Sequence, residues 1–449
     1  MVMNNRDTII VHPSATAPTG IVSVPGDKSV SHRAAMLAAL APGTSIIGNF
    51  LVSEDCLNTL RAVETLGASV VRDGVHVKIV GLDGRFRATA RELDMGNSGT
   101  GLRLLAGLLA GHPFVTTLTG DASLRSRPMR RIGEPLTQMK CDVDLLGENG
   151  CAPMRVGGGH LQGIWYRLPM ASAQVKSCVL LAGLFAEGRT TVIEPLPTRD
   201  HTEIVLRRMG VPVDIKGSHI SVEGTAGEPL KLKSVQGIVP GDFSSAAFWI
   251  TAAACRPGAE LTVRNVGLNP RRTALLDVLK RMGADIEAKP DPADAHGADG
   301  PWECTGQIVV RGRALAGTET GGAEIPNLID ELPLIGVAGA LAEGPTVIRD
   351  AAELRVKESD RIATLAQGLS AFGVSVEEHP DGLTVHGGAA IRCGGAVNSH
   401  GDHRIAMAMA MLALFADGPA RIDGVACTAT SYPGFWDTLG ELGGVAEQR

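Results

Sequence analysis

Residues Pro25 to Gly43 read PGDKSVSHRAAMLAALAPG. The stretch opens on a tight turn, Pro25-Gly26-Asp27, and sets Lys28, Ser29, Ser31 and Arg33 around the start of a helix. Residues 34–40 are apolar on nearly every side, the pattern of a buried helix rather than an amphipathic one. Pro42-Gly43 stops the helix, and the β-branched run Thr44 to Ile47 follows as a strand. A polar start on a helix otherwise sunk in core is unusual. The peptide dipoles put roughly half a positive charge there and leave free N–H groups pointing outward. Lys28 and Arg33 add full charges, so the stretch is built to receive an anion.

The same plan recurs five more times. Asn97-Ser98-Gly99-Thr100 leads into Leu102 to Ala110 and ends at Gly111; Ser172-Ala173-Gln174 leads into Val179 to Ala186 and ends at Gly188. Asp242-Phe243-Ser244-Ser245 leads into Ala246 to Ala254 and ends at Gly258. Asp330-Glu331 leads into Leu334 to Ala342 and Gly344, and Asp402-His403-Arg404 into Ile405 to Ala416 and Gly418. A short strand follows each terminal glycine, as in Thr190 to Ile193, Glu260 to Val263 and Thr346 to Ile348. In most repeats a second, amphipathic helix then ends in a glycine before another strand; Leu206 to Gly210 and Leu279 to Gly283 match closely there. The terminal glycines recur at roughly 70–85 residues, too long for the common solenoids. The pattern predicts an α/β protein of six copies of one unit.

Composition limits the function classes. A chain of 449 residues exceeds one ordinary domain. The formal net charge of −6 argues against broad nucleic-acid binding, so the basic helix starts form a local focus able to steer a small anion. The eight cysteines include no CxxC pair and no histidine at zinc spacing, which argues against a structural metal. Cys178, Cys255 and Cys393 lie in or beside apolar runs and read as core thiols. Met1 to Val11 lacks the apolar core of a signal peptide, and Ile405 to Ala416 is too short to span a bilayer. The expectation is a cytoplasmic protein in a reducing compartment, with no membrane partner.

Three repeats occupy 24–240 and three occupy 241–449, with hinges expected near 24 and 240, where Pro25-Gly26 and Pro240-Gly241 mirror each other. The first strand, Thr8 to Val11, is a candidate to complete the second domain, which would then be 1–23 plus 241–449. Pro290 to Pro301, PDPADAHGADGP, reads as a surface loop inserted between two strands.

Several polar clusters carry the chemistry. Gly96 to Gly101, GNSGTG, is not a P-loop, because Leu102-Arg103 stands where Lys-Ser/Thr is required. It is either a glycine turn serving a helix start or a way to bring backbone N–H groups close to an anion. Arg355-Val356-Lys357-Glu358-Ser359-Asp360-Arg361 is expected to open the amphipathic helix of the fifth repeat, with Lys357 and Arg361 one turn apart. Two like charges so placed cost a few tenths of a kcal/mol unless an anion lies between them. Asp402 can simply cap its helix, but Arg404 against so apolar a helix calls for an anionic partner. Of the four arginines in Arg125 to Arg131, some are surface. Asp330-Glu331 at a helix start and Glu358 between two cations supply carboxylates for proton transfer, or plain caps and ion pairs.

Taken together, Pro25-Gly26-Asp27-Lys28-Ser29, Gly96 to Thr100, Arg355 to Arg361 and Asp402-His403-Arg404 resemble the signatures of the 5-enolpyruvylshikimate-3-phosphate synthase family, over essentially the whole chain. The resemblance implies two pseudo-equivalent domains, each of three βαβαββ units with buried helices, an inside-out α/β barrel of the enolpyruvyl transferase kind. In that family the buried helices direct their N-termini toward an interdomain cleft. It implies transfer of enolpyruvyl from phosphoenolpyruvate to the 5-hydroxyl of shikimate 3-phosphate with release of phosphate, by addition and elimination. No metal or organic cofactor is implied. Both substrates are polyanions, which suits the cationic helix starts.

By motif, the resemblance assigns shikimate 3-phosphate to Lys28, Ser29, Arg33, Ser172, Ala173, Gln174, Arg199, Asp330 and Lys357. It assigns phosphoenolpyruvate to Lys28, Gly99, Arg127, Gln174, Arg361 and Arg404. Asp330 would take the 5-hydroxyl proton, while Glu358 and Lys28 would handle the proton at the enol carbon, with domain closure excluding water. Many relatives carry Lys where this chain has Thr430. Thr198 to His201 and Ala429 to Ser431 look like the family's second class, whose herbicide-tolerant members have Ala at the Gly99 position; Gly99 implies that glyphosate fits. Two alternatives stand beside this reading. One is a UDP-N-acetylglucosamine enolpyruvyl transferase, which uses a loop cysteine that residues 112–131 do not contain. The other is a catalytically dead anion-binding protein on the same scaffold. The family is usually monomeric.

Overall fold

The computed structural model of the protein describes residues 7–14, 16–292, 300–393 and 395–448. These fall into two compact units. The N-terminal unit takes in the described residues of Gly26–Pro240 and Ala293–Glu303; the C-terminal unit takes in those of Met1–Pro25, Gly241–Pro292 and Cys304–Arg449.

Each polar start recognised in the sequence begins a buried helix, and most begin at the polar turn itself rather than after it. The inner helices of the N-terminal unit are Lys28–Leu40, Gly99–Ala110 and Ala173–Gly183. Those of the C-terminal unit are Phe243–Ala254, Leu332–Leu341 and His403–Ala413. A side-chain cap explains the early starts: Asp27, Ser98, Ser172, Asp242 and Asp402 each accept a hydrogen bond from a first-turn N–H. All twelve residues of Phe243–Ala254 are buried. Each Leu, Ile or Phe so buried contributes about 1.5–3 kcal/mol. Small residues let the inner helices approach closely. A Cβ on Gly107 would lie 2.4 Å from the Cys178 carbonyl oxygen of the neighbouring helix.

Five of the six terminal glycines have one of two causes. Gly43, Gly188, Gly258 and Gly344 adopt φ of +65° to +87° with open space around them, so the backbone conformation selects glycine. Gly111 has an ordinary φ, and there a Cβ would sit 2.3 Å from Phe185, so space selects it.

Among the described residues, six four-stranded sheets lie over these helices, three in each unit. The second repeat shows the order: strand Leu93–Asp94, inner helix, parallel strand Val115–Thr119, outer helix Arg130–Gln138, then the hairpin Asp142–Leu145 and Met154–Gly157. That is one βαβαββ unit. Two strands are exchanged between repeats. Thr19–Ser23, before the first inner helix, pairs with Glu260–Gly267 of the fourth repeat. Gln236–Ile238, before the fourth inner helix, pairs with Thr44–Gly48 of the first. Thr8–His12 pairs with Ala420–Asp423 and Val445–Gln448 and completes the sixth sheet. Each unit has its own hydrophobic core.

Three local expectations are corrected. Asp360 caps a helix that begins only at Arg361, and Ala352–Val356 is a separate 3-10 turn. Lys357 therefore lies outside any helix, and the expected one-turn face with Arg361 does not form. Cys393 is not a core thiol: it is only half-buried, with Sγ on the Pro419 carbonyl, whereas Cys178 and Cys255 are buried. In the predicted loop Pro290 to Pro301, Pro290 ends the strand Asp285–Pro290, and residues 293–299 lie outside the described residues. Gly300 is buried rather than a surface-loop residue.

Candidate active site

In the N-terminal unit, Lys28 is the first residue of its helix, and its Nζ lies 3.0 Å from Asp55 on the outer helix Glu54–Thr65. The half-buried Ser29 offers its carbonyl to Arg33 Nη1 at 2.9 Å. Arg33 also donates to Thr202 Oγ1 (2.7 Å) and Ser177 Oγ (3.0 Å), so its fork is fixed by protein oxygens. Burial lowers its pKa to about 10; Glu203, Glu303 and Asp27 pull it back up, and Arg199 adds to the fall.

Gly99 begins the second inner helix, and two guanidiniums lie over it. A Cβ there would be 3.0 Å from Arg103 Nη1 and 3.3 Å from Arg127 Nη1. Arg127 donates to the Asn97 carbonyl (3.2 Å), to the Asn97 side chain and to Ser123 Oγ (3.0 Å). Arg103 donates to Gln174 Oε1 at 2.5 Å, and Gln174 Nε2 donates to Thr100 Oγ1 at 2.9 Å. Gln174 thus ties the start of the third inner helix, with its Ser172 cap and Ala173, to the start of the second. Arg199 is half-buried in the loop leading to the helix His201–Arg208.

Beneath these starts lies a closed ionic cluster. Lys176, 0% exposed, is 2.6 Å from Glu194 and 2.7 Å from Glu203, both buried. His32 bridges inward, with Nδ1 2.7 Å from Thr59 Oγ1 and Nε2 3.3 Å from Ser98 Oγ. Burial, followed by Lys28 and Arg33, pushes its pKa down to about 3, with Asp27 opposing. Its imidazole is neutral at physiological pH.

In the C-terminal unit three arginines surround Asp330. Arg361 Nη1 is 3.4 Å from its Oδ1; Arg404 Nη2 and Arg272 Nη1 are 3.3 and 3.9 Å from its Oδ2. Arg404 also donates to the Asp330 carbonyl (3.0 Å) and approaches Glu331 at 3.9 Å, which supplies the anionic partner its position called for. Arg361 is gripped by Asp402, Nε to Oδ2 at 2.7 Å, and by Glu358. Burial would lower the Arg361 pKa, but Asp402, Glu358 and Asp330 outweigh it and hold the group above its ordinary value. Lys357 pairs with Glu353 at 3.2 Å; its pKa is lowered, chiefly by burial, with Glu353 and Asp330 opposing. Thr430 Oγ1 donates to the Cys427 carbonyl at 2.7 Å and stands 3.4 Å from His403 Nδ1.

Each unit therefore holds cationic groups rigidly at helix starts, with carboxylates setting their orientation. Such preorganised donors stabilise developing negative charge without reorganising during the reaction. Among the described residues no group of three or more His, Cys, Asp or Glu is arranged to hold a metal ion. None of their helices is long and apolar enough to cross a membrane.

Sequence reasoning missed several members. Arg103 sits on an apolar helix, and its contact with Gln174 spans 71 residues of chain. Asp402 reads as a cap, which it is, accepting from Arg404 N, but its second oxygen holds Arg361. Lys176 had a usable signal, since a lone cation in apolar helix sequence has to be paired in the core; Arg272, next to Arg271 and ahead of an amphipathic helix, had none.

A family model described as EPSP synthase (3-phosphoshikimate 1-carboxyvinyltransferase) matches residues 14–439. The 3-phosphoshikimate 1-carboxyvinyltransferase of Akkermansia muciniphila is 50% identical over 96% of this chain and 98% of that one. That of Salinibacter ruber is 49% identical over 95% and 98%. Among solved structures, EPSP synthase from Acinetobacter baumannii superposes with a TM-score of 0.84 at 43% identity, covering 98% of this chain and all of that one. The enolpyruvyl transferase NikO from Streptomyces tendae shares the fold, with a TM-score of 0.77 at 18% identity.

Proposed function

This chain belongs to the EPSP synthase family, and from that premise we propose how its own residues divide the reaction. The enzyme is a 3-phosphoshikimate 1-carboxyvinyltransferase of the shikimate pathway. It moves the enolpyruvyl group of phosphoenolpyruvate to the 5-hydroxyl of shikimate 3-phosphate and releases phosphate. Its substrates are small anions.

Ser29, Arg33, Ser172, Ala173, Gln174, Arg199 and Lys357 hold shikimate 3-phosphate. Gly99, Arg127, Gln174, Arg361 and Arg404 hold phosphoenolpyruvate, with Lys28 serving both. In the addition step the 5-hydroxyl oxygen bonds to C2 of phosphoenolpyruvate. Asp330 takes the hydroxyl proton, and a proton from Glu358 or Lys28 reaches the C3 methylene. The product is a tetrahedral intermediate bearing a methyl group. Elimination then returns a proton from that methyl to the same acid–base pair, the C2–O bond to phosphate breaks as the proton held by Asp330 passes to the departing phosphate, and the enol double bond re-forms. The observation that carries this reading is the meeting of Arg361 and Arg404 on Asp330, with Glu358 on Arg361. An acceptor of protons and two anchors for a carboxylate or phosphate stand together where three helix starts meet.

The test is phosphate release from phosphoenolpyruvate with shikimate 3-phosphate, and with UDP-N-acetylglucosamine as the parallel acceptor. Release with the first acceptor alone, abolished in Lys28→Ala and Asp330→Ala, is expected. Undiminished release in both variants sinks the residue assignment, and release with the second acceptor alone sinks the choice of acceptor. We further propose a cytoplasmic monomer, as the resemblance to the family implies. Light scattering on the purified enzyme tests the oligomeric state.

A further inference from the structure

The fourth repeat lends four residues to the other unit. Its hairpin strands, Asp285–Pro290 and Thr305–Arg311, belong to the C-terminal unit, yet residues 300–303 between them group with the N-terminal one. Their docking is specific. Trp302 is 2% exposed, and its backbone N–H donates to the Ile238 carbonyl at 3.0 Å. Arg208 donates to the carbonyls of Pro301 (2.7 Å) and Gly300 (2.9 Å) and lies over the Trp302 ring, 5.5 Å from its centroid. The segment ends on Glu303, whose Oε1 is 2.5 Å from His201 Nδ1, with both side chains 3% exposed.

A carboxylate carried into a foreign core needs a reason, because burying it is costly unless it is paired. Its surroundings supply one. His201 is the first residue of the helix His201–Arg208, two residues after Arg199. The next residue, Thr202, accepts from Arg33 Nε and pairs with Ser177 Oγ at 2.7 Å. Glu303 also acts electrostatically on Arg33, offsetting burial and Arg199. The first turn of this helix is thus held by Glu303 on one side, and it holds Arg33 on the other.

We propose that Glu303, delivered by the docked segment 300–303, is a positioning residue for shikimate 3-phosphate recognition: through His201 it sets the helix turn that orients Arg33 and Arg199. The inference rests on the assignment of those two arginines to that substrate. It extends that assignment to a residue from the fourth repeat that touches no substrate itself.

Glu303→Ala, Glu303→Gln and Arg199→Ala, each in the full-length enzyme, test it through separate KM values for both substrates, kcat and melting temperature. Gln keeps an acceptor for the His201 N–H while removing the carboxylate charge. Glu303→Ala is expected to raise the KM for shikimate 3-phosphate about tenfold, the loss of one charge-assisted hydrogen bond, with the phosphoenolpyruvate KM and kcat changed less than about twofold. Glu303→Gln is expected to recover most of that loss. A shikimate 3-phosphate KM unchanged in Glu303→Ala overturns the proposal. So does a uniform loss of both KM values and kcat with a lowered melting temperature, or a Gln variant as impaired as the Ala variant. Arg199→Ala separates the two readings. If it leaves the shikimate 3-phosphate KM unchanged, the assignment of the arginine fails; if it raises that KM while the Glu303 variants do not, only the positioning role fails.

Discussion

Arg361 and Asp402 form an ion pair, Nε to Oδ2 at 2.7 Å, with side chains 1% and 0% exposed. The pair joins the first residue of an outer helix to the cap of an inner one, so one contact holds both the fold and the cation's aim. Removing one partner leaves a buried charge short of compensation. Asp402→Ala is expected to lose about 3–5 kcal/mol of unfolding free energy in urea and to raise the phosphoenolpyruvate KM. Asp402→Asn keeps a capping acceptor and is expected to fall between Ala and wild type. A loss below about 1 kcal/mol in the Ala variant would mean that Glu358 and Asp330 suffice.

Gly99→Ala is expected to fold normally, because the added methyl meets only the tips of Arg103 and Arg127, at 3.0 and 3.3 Å. Those tips must shift by a few tenths of an ångström. The phosphoenolpyruvate KM is expected to rise modestly and inhibition by glyphosate to weaken more, since the bulkier anion has less slack. Steady-state inhibition with phosphoenolpyruvate as the varied substrate reads both. Equal inhibition of the variant and wild type would show that this methyl does not reach the inhibitor.

Lys176 is buried between Glu194 and Glu203, and all three sit below the helix starts rather than in contact with substrate by assignment. Lys176→Met strands two carboxylates in core and is expected to cost about 3–5 kcal/mol. Adding Glu194→Gln and Glu203→Gln to it removes the stranded charge and is expected to regain most of that loss. Chemical denaturation of the single and triple variants decides. A triple variant no better than the single one would show that packing, not charge, is what the lysine supplies.

Two neutral buried histidines predict loss of stability in acid. Burial is the chief cause of both depressed values, His32 falling to about 3 and His112 to about 4, from an ordinary 6.5. Below pH 6.5 the unfolded chain takes up these protons and the folded one does not, so stability is complete above that pH and declines as pH drops toward the folded values. By pH 5 each contributes a loss of about 2 kcal/mol. Urea unfolding at pH 7 and pH 5 should show the difference, and His112→Gln should shrink it. A midpoint unchanged between the two pH values would mean that neither imidazole is buried neutral.

The repeat architecture was legible in the chain because it rests on local physics. A polar start, a largely apolar helix and a terminal glycine occur together six times, five of them with a capping side chain, and each acts within a few residues of itself. The cationic helix starts at Lys28 and Arg404 were legible for the same reason. Tertiary structure alone decided which charges face one another. Arg103 meets Gln174, Arg361 meets Asp402 and His201 meets Glu303 across separations of 71, 41 and 102 residues, and no periodicity encodes such pairs. It also overruled a local reading at Lys357, where the Asp360 cap starts the helix too late to include it. The exchange of Thr19–Ser23 and Gln236–Ile238 between repeats was likewise beyond the sequence. A short edge strand carries no mark of its partner; it pairs with whichever sheet the packed helices bring beside it.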